Sequence, residues 1–119
     1  RAAQEGIAFA FRYGVDIMRE LGLRAGVIRA GHANLFLSPL FRSTLATLCD
    51  ANIELYNTDG ALGAARGAAL GAGLYRNRNE AFASLRRIEE VHPDPAIRQV
   101  LEETYPIWKK ELQVQLENQ

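Results

Sequence analysis

The feature that most constrains this chain is a glycine- and alanine-rich stretch at residues 59–73, DGALGAARGAALGAG, with one charge inside it, Arg66. Each glycine within a helix costs about 1 kcal/mol relative to alanine, so this segment would form a poor helix by itself. A helix here needs a compensating interaction, either close packing against another element or close approach of its backbone to a ligand. We expect both, with Gly67, Gly71 and Gly73 used for packing against a sheet and the first helix.

Composition narrows the class of protein. The chain has 119 residues, 48% of them hydrophobic, and a formal net charge of +0, which is typical of one globular domain or part of one. Without a basic excess there is no electrostatic argument for a nucleic-acid or anionic-membrane partner, and no apolar run approaches the ~20 residues of a membrane span. The single cysteine, Cys49, cannot form an internal disulfide, which favours a reducing, cytoplasmic setting. We expect its thiol to be buried and inert. The start at Arg1, without a methionine, leads us to expect a fragment or a processed piece.

Hydrophobic periodicity and capping residues predict alternating helices and strands. Helical spacing covers residues 4–21, with Gly22 as the stop, and Ser38–Pro39 is a typical helix start. The expected elements are a helix at 4–21, a strand at 25–31, a helix at 39–50, a strand at 52–57, the Gly/Ala helix, a helix at 77–91 and a helix from residue 96. This order predicts an α/β fold with parallel strands joined by crossover helices. Two strands make too small a sheet, so we expect further strands from a longer protein or a partner.

Small residues follow both expected strands, at residues 30–34 and 58–63. Ligands of open parallel sheets bind at the carboxyl ends of the strands, where small residues allow backbone amides to face a phosphate. In the first turn, Gly31 permits a ligand to approach the backbone closely. His32 could form a hydrogen bond to a phosphate or ribose, and Asn34 could donate to the ligand through its side-chain amide.

The second turn leads into the Gly/Ala helix, which Asp59 is expected to cap. Gly60, Ala61, Gly63 and Ala64 would leave a flat wall on which an adenine ring could lie. The alternative is a purely structural one, a tight turn followed by a closely packed helix. Neither turn has the dinucleotide fingerprint or the phosphate loop with its lysine, which disfavours those two classes.

No residue of the sequence is indicated as catalytic or as a metal ligand. The carboxylates are scattered without an apolar setting that would mark a general base. His32 and His92 have no cysteine or carboxylate partners at metal-ligand spacing, and we expect His92 to be solvated. Tyr105 and Trp108 have helical spacing and are expected to be core or interface anchors.

Three sequence blocks together resemble a known family. They are EGIAFAFR at 5–12, IRAGHAN at 28–34 followed by SPLFR at 38–42, and GALGAA at 60–65. In order and spacing they are similar to the C-terminal signature of the FGGY carbohydrate kinases, in particular the xylulokinase type. The resemblance covers nearly the whole chain.

The resemblance implies a partial actin-like ATPase domain of the ribonuclease H-like class, with short parallel strands, packed helices and a helical C-terminal tail. Residues 1–76 would be the distal half of the C-terminal nucleotide-binding domain, and residues 77–119 its C-terminal helical extension. The intact kinase would use ATP and Mg²⁺ to phosphorylate a sugar, with a ketopentose favoured. The implied nucleotide contacts are Ala30, Gly31, His32, Ala33, Asn34, Gly60, Ala61, Gly63 and Ala64. The family's catalytic aspartate and sugar contacts have no counterpart here, so the fragment alone is expected to be inactive.

The sequence also departs from the family pattern. The family usually has two or three consecutive glycines in the first turn, whereas this chain has AGHA at residues 30–33. His32 therefore either contacts ATP or points away and reshapes the turn.

Two alternatives to a sugar kinase stay open, a non-catalytic α/β interaction module and a pseudo-kinase of the same superfamily. The terminal helices would pack on the outer side of the sheet or form the contact of a homodimer.

Overall fold

The computed structural model of this chain describes residues 1–118. Its elements are α1 (Ala2–Glu20), β1 (Val27–Gly31), a 3₁₀ turn (Asn34–Leu37), α2 (Pro39–Cys49), β2 (Asn52–Tyr56), α3 (Gly60–Gly71), the single-turn α4 (Arg78–Ala81), β3 (Arg87–Val91) and α5 (Pro95–Glu117). In the part of the chain that is described, no helix combines the length and apolar character needed to cross a membrane.

The predicted helix boundaries are confirmed where capping chemistry is present. The side chain of Ser38 accepts a hydrogen bond from the amide of Phe41, and Pro39 occupies the first position of α2. Asp59 caps α3 by accepting from the amide of Leu62 at 2.7 Å. Gly22 follows the end of α1 with φ +81, a left-handed conformation that glycine adopts without a steric penalty. Each of these boundaries is set by local chemistry.

The two predicted strands pair in parallel, as expected. Their register runs from Val27 opposite Asn52 to Gly31 opposite Tyr56. Parallel strands end at the same edge of a sheet, so the turns that follow β1 and β2 lie side by side. The sheet has the order β1-β2-β3.

The helix predicted for residues 77–91 is wrong. The side chain of Asn77 caps only the single turn of α4, and residues 87–91 form β3, antiparallel to β2. The apolar residues that suggested a helix are largely outside the core, with Phe82 42% and Ile88 51% exposed. Pairing with β3 satisfies the backbone groups along the edge of β2 that β1 does not cover, which a helix at residues 87–91 would leave open. The third strand therefore comes from this chain itself.

The core lies between the sheet, α1, α2 and α5. Helix α2 lies at the centre of this core, since all of its residues except Pro39, Leu40 and Ser43 are buried. The buried apolar residues are Ala8, Phe9, Phe41, Leu45, Ala46, Leu48, Cys49, Ala51, Ile53, Leu55, Leu101 and Tyr105. Burial raises the pKa of the Cys49 thiol to about 11, so this cysteine is the inert buried thiol that the sequence predicted. Tyr105 and Trp108 stack at 6.1 Å and pack on the core, which confirms them as core anchors.

The packing role predicted for the glycines of α3 is wrong. No atom of residues 1–118 lies within 4 Å of where a Cβ would stand at Gly67, Gly71 or Gly73. Among the described residues of α3, the only buried one is Arg66. Among the described residues, most of α3 is exposed and no element packs against these glycines.

A hydrogen-bond network centred on Asp16 joins α1, α2 and α5. The carboxylate of Asp16 accepts hydrogen bonds from Arg12 at 2.8 Å, Arg19 at 3.2 Å and the hydroxyl of Tyr105 at 2.8 Å. The same two arginines donate to the carbonyls of Leu48 and Cys49. These carbonyls belong to the last turn of α2, where no intrahelical partner is available. Asp16 thus orients the side chains that complete the end of the central helix.

The network around Asp16 predicts a loss of folding stability in acid. Burial alone would raise the pKa of Asp16, but hydrogen bonds from Arg12 and Tyr105 and the charge of Arg12 outweigh it and hold the pKa below its ordinary 3.8. Because the folded-state pKa is the lower one, the stabilisation is complete above the unfolded-state pKa and is lost as pH falls through the folded-state value. Urea denaturation at pH 7 and pH 3 should show this loss, and Asp16→Asn should reduce the difference. An unchanged pH dependence in that variant would exclude Asp16 as its source.

Candidate functional site

The two turns that follow β1 and β2 are in direct contact. A Cβ added to Gly31 would stand 2.3 Å from the carbonyl oxygen of Thr58 and 3.0 Å from its carbonyl carbon. Distances this short leave no room for any side chain atom, and the neighbour is backbone, which cannot rotate away. Gly31 is therefore required by the approach of the second turn, and not by an unusual backbone conformation.

Backbone hydrogen bonds fix how the turns leave the sheet. The carbonyl oxygen of Tyr56, the last residue of β2, accepts from the amides of both His32 and Thr58 at 2.8 Å. The amide of Ala33 donates to the carbonyl of Gly31, also at 2.8 Å. The amides of residues 32 and 33 are thus engaged within the protein. The two turns form one unit anchored at the ends of both strands.

A cavity of about 230 Å³ opens where the turns meet α1 and α2. Its lining combines small residues of the turns, one carboxylate and an aromatic wall: Phe11, Gly31, Ala33, Asn34, Leu35, Phe36, Phe41, Asp59 and Gly60. The rings of Phe36 and Phe41 meet edge to face at 5.5 Å, and those of Phe11 and Phe41 at 6.2 Å. An apolar wall with a few polar groups is the usual character of a small-molecule site.

Some of the residues predicted from the first turn line this cavity and others do not. Gly31, Ala33 and Asn34 line it. Asn34 has φ +51, the left-handed region that asparagine tolerates better than most residues. Ala30 and Gly31 border a second cavity, of about 390 Å³, at Tyr56 and Thr58. The side chain of His32 is exposed and does not line either cavity.

The residues predicted from the second turn are arranged along the start of α3. Gly60 lines the cavity, while Ala61 and Ala64 are exposed and Gly63 is half-buried. No atom of the described chain lies within 4 Å of a Cβ built on Gly60 or Gly63. The first turn of α3 therefore offers an open, flat surface next to the cavity.

Sequence reasoning missed several lining residues. The sequence predicts only a capping role for Asp59, yet this residue both caps α3 and lines the cavity. Phe36 lies in the 3₁₀ turn and Phe41 in the first turn of α2, and their spacing of five carries no helical or strand signal across the two elements. Phe11, half exposed, comes from α1. Only the tertiary arrangement brings these rings to the turns.

The face of the sheet opposite α2 carries a charged network centred on Glu54. Arg29 donates to Glu54 at 2.8 Å, Arg87 at 3.0 Å and the hydroxyl of Tyr56 at 2.9 Å. The hydrogen bond from Arg29 is the main cause that holds the pKa of Glu54 below its ordinary value. All of these groups are satisfied by one another, so the network is adequately explained as a link among the three strands.

Candidate metal ligands do not cluster. Within residues 1–118, no group of three or more His, Cys, Asp or Glu side chains is arranged to hold a metal ion. His92 is exposed and contacts Asn52 through Nδ1 at 3.1 Å.

The solved structures that this chain resembles include two sugar kinases. Xylulose kinase from Rhodospirillum rubrum matches 99% of this chain with a TM-score of 0.71 and 27% sequence identity. Gluconate kinase from Lactobacillus acidophilus matches 96% of the chain with a TM-score of 0.72 and 19% identity. The chain spans about a quarter of each, 24% and 23% respectively. No protein-family model matches this sequence, and no curated protein matches it.

These matches confirm the predicted fold class. The mixed α/β arrangement, with its three-stranded sheet and long C-terminal helix, has the fold of a fragment of an actin-like sugar kinase. Similarity to such kinases supports a kinase-like fragment in general terms.

Proposed function

We propose that this chain is the part of an ATP-dependent sugar kinase of the xylulokinase type that holds the adenosine side of the nucleotide. The observation that carries the proposal is the match of 99% of the chain to a xylulose kinase at 27% identity, together with the contact of the two turns at Gly31 and Thr58. In the intact enzyme, the γ-phosphoryl group of ATP would be transferred to a sugar hydroxyl.

The geometry fits part of a nucleotide. The cavity of about 230 Å³ is smaller than the ~300–1,000 Å³ of typical small-molecule sites, which suits one portion of ATP with the remainder covered by other segments. The open surface at Gly60 and Gly63 has room for the face of a purine. Three aromatic rings, Phe11, Phe36 and Phe41, line the same cavity and would supply further apolar contact.

The carboxylate of Asp59 favours the adenosine part of ATP, rather than its phosphates, in this cavity. A carboxylate beside a phosphate is repulsive, whereas it is a good acceptor for a ribose hydroxyl or an adenine amino group. The amides of His32 and Ala33 are already bonded within the protein and would not be free to hold a phosphate. We therefore assign the adenosine, and not the phosphates, to the space beside Asp59.

The remaining chemistry belongs to groups outside residues 1–118. The scattered carboxylates of the described chain do not fit a Mg²⁺ site, and no residue stands out as a base toward a sugar hydroxyl. Phosphoryl transfer relies on positioning and on neutralising the phosphate charge. This chain would contribute the positioning of the nucleotide, and by itself it would be inactive.

The sugar is proposed to be a ketopentose, by analogy with the xylulose kinase that the chain resembles. A cytoplasmic location and a homodimer belong to the same proposal. The exposed apolar side chains of α5, Val100, Ile107 and Val114, are the surface through which a subunit contact would form.

The test is ATP-dependent phosphorylation by the full-length protein over a panel of pentoses and hexoses, measured as ADP release. We expect turnover with a ketopentose, and none from residues 1–119 expressed alone. Circular dichroism and thermal denaturation would show that the full-length protein is folded. Folded protein without turnover on any sugar would contradict the enzyme proposal and favour a non-catalytic module or a pseudo-kinase, which ATP binding would then distinguish.

A further inference from the structure

The Gly/Ala helix α3 is attached to the rest of the molecule mainly through a charged side chain. Arg66 is 8% exposed and is the only buried residue among the described residues of this helix. Apart from Leu62, which is 43% exposed, and the partly buried Leu70, the other residues of α3 are glycine and alanine, which bring little apolar surface to bury. Burial of a guanidinium is costly unless its donors are paired, so the partners of Arg66 carry the attachment.

Those partners are two hydroxyl groups from different segments. Arg66 donates to Oγ1 of Thr58 at 2.9 Å and to Oγ of Ser84 at 3.2 Å. Within residues 1–118, no carboxylate forms an ion pair with Arg66. A planar guanidinium with a fixed fork of donors can span two acceptors in this way, whereas a lysine ammonium cannot do so equally well.

The segment that contains Ser84 is itself bonded to the second turn. The side chain of Asn57 donates to the carbonyl of Ser84 at 3.1 Å and accepts from the amide of Arg86 at 2.6 Å. The amide of Asn57 donates to the carbonyl of Arg86 at 3.0 Å. Residues 57–58, the loop at 84–86 and Arg66 thus form one polar network.

This network leads directly to the turn contact. Thr58, which accepts from Arg66 through its hydroxyl, is the residue whose carbonyl stands where a Cβ of Gly31 would be. Asp59, the next residue, caps α3 and lines the cavity. The direction in which α3 leaves the sheet, and with it the position of Gly60 and Gly63 beside the cavity, therefore depends on the bonds of Arg66.

We infer that Arg66 is a positioning residue, which holds the start of α3 against the second turn so that its glycine surface faces the nucleotide. The nucleotide part of this inference rests on the proposed function. Arg66 would not touch ATP, since it acts through Thr58 and the loop at 84–86. Its loss should weaken nucleotide binding without altering the strands.

The experiment compares Arg66→Met and Arg66→Lys with the unaltered full-length protein. Hydrogen exchange of the amides of residues 60–71 should become at least about tenfold faster in Arg66→Met, the factor expected when a hydrogen bond of a charged group is lost. Exchange at Ile53 and Leu55, in the core strand β2, should stay the same. Arg66→Lys should show a smaller change than Arg66→Met. Arg78→Met, at an exposed arginine of α4, is the matched control and should leave exchange in α3 unchanged.

A second measurement separates positioning from a merely structural role. The Kd for ATP should rise about tenfold in Arg66→Met and be partly restored in Arg66→Lys. Faster exchange with an unchanged Kd would overturn the positioning role, as would equal acceleration in α3 and β2. If the unaltered protein does not bind ATP, the proposed function fails, and exchange still decides whether Arg66 anchors α3. Unchanged exchange in Arg66→Met would overturn that anchor.

Discussion

Gly31→Ala is expected to destabilise the fold by about 3 kcal/mol, the upper end of the cost of overpacking a well-packed site. The added methyl group would stand 2.3 Å from the carbonyl oxygen of Thr58, so the two turns must separate. Separation would break the hydrogen bond from the amide of His32 to the carbonyl of Tyr56, which joins the first turn to the end of β2. Urea denaturation measures the change in stability, and the Kd for ATP in the full-length protein should rise beyond measurement if the turns form the nucleotide site.

A second glycine supplies the control with the opposite expected sign. At Gly67, in the middle of α3, an added Cβ meets no atom of residues 1–118 within 4 Å, and the residue is helical. Gly67→Ala should therefore stabilise the protein by about 1 kcal/mol through helix propensity alone. Equal effects of the two substitutions would mean that the contact at Thr58 does not constrain residue 31.

Gly63→Leu in the full-length protein is expected to abolish ATP binding while leaving the fold intact. No described atom lies within 4 Å of a Cβ at this position, so the larger side chain has space in the absence of ligand. It would fill the flat surface next to Gly60 on which the adenine is proposed to lie. Calorimetric titration with ATP measures binding, and an unchanged melting temperature shows that the fold is retained.

The matched control for this variant is Gly71→Leu at the other end of the same helix. Eight residues of helix separate the two positions by about 12 Å, and Gly71 also has open space around it. Gly71→Leu should bind ATP like the unaltered protein. Undiminished binding by Gly63→Leu would show that the start of α3 is not the adenine surface, and loss in both variants would indicate a general disturbance of α3.

The sequence predicts those parts of the fold that local chemistry determines. Ser38 with Pro39 starts a helix by capping, Asp59 caps the Gly/Ala helix, and the alternation of strands and helices fixes the parallel pairing of β1 and β2. The glycine turn after β1 is also evident, because strand ends in parallel sheets follow a general rule. These patterns therefore predict a candidate site at the edge of the sheet where both turns lie.

The parts that could not be predicted depend on distant partners. Residues 87–91 have apolar spacing compatible with a helix, and only the open edge of β2 makes them a strand. The Gly/Ala helix gives no sign that its one charged residue, Arg66, would be its buried one. The aromatic wall of Phe11 and Phe36 combines residues that are far apart in the chain. In each case tertiary contacts outweigh local propensity.

The antiparallel strand β3 has a consequence for where the chain can be cut. It pairs with β2 from Ile53 to Tyr56, the strand whose end carries the second turn. A truncation after residue 76 would remove β3 and leave the amides and carbonyls of β2 open to pairing with other molecules, a recognised route to aggregation. The residues after the Gly/Ala helix therefore shield the site-bearing strand from intermolecular association, and a shortened version of this domain should retain them through residue 91 at least.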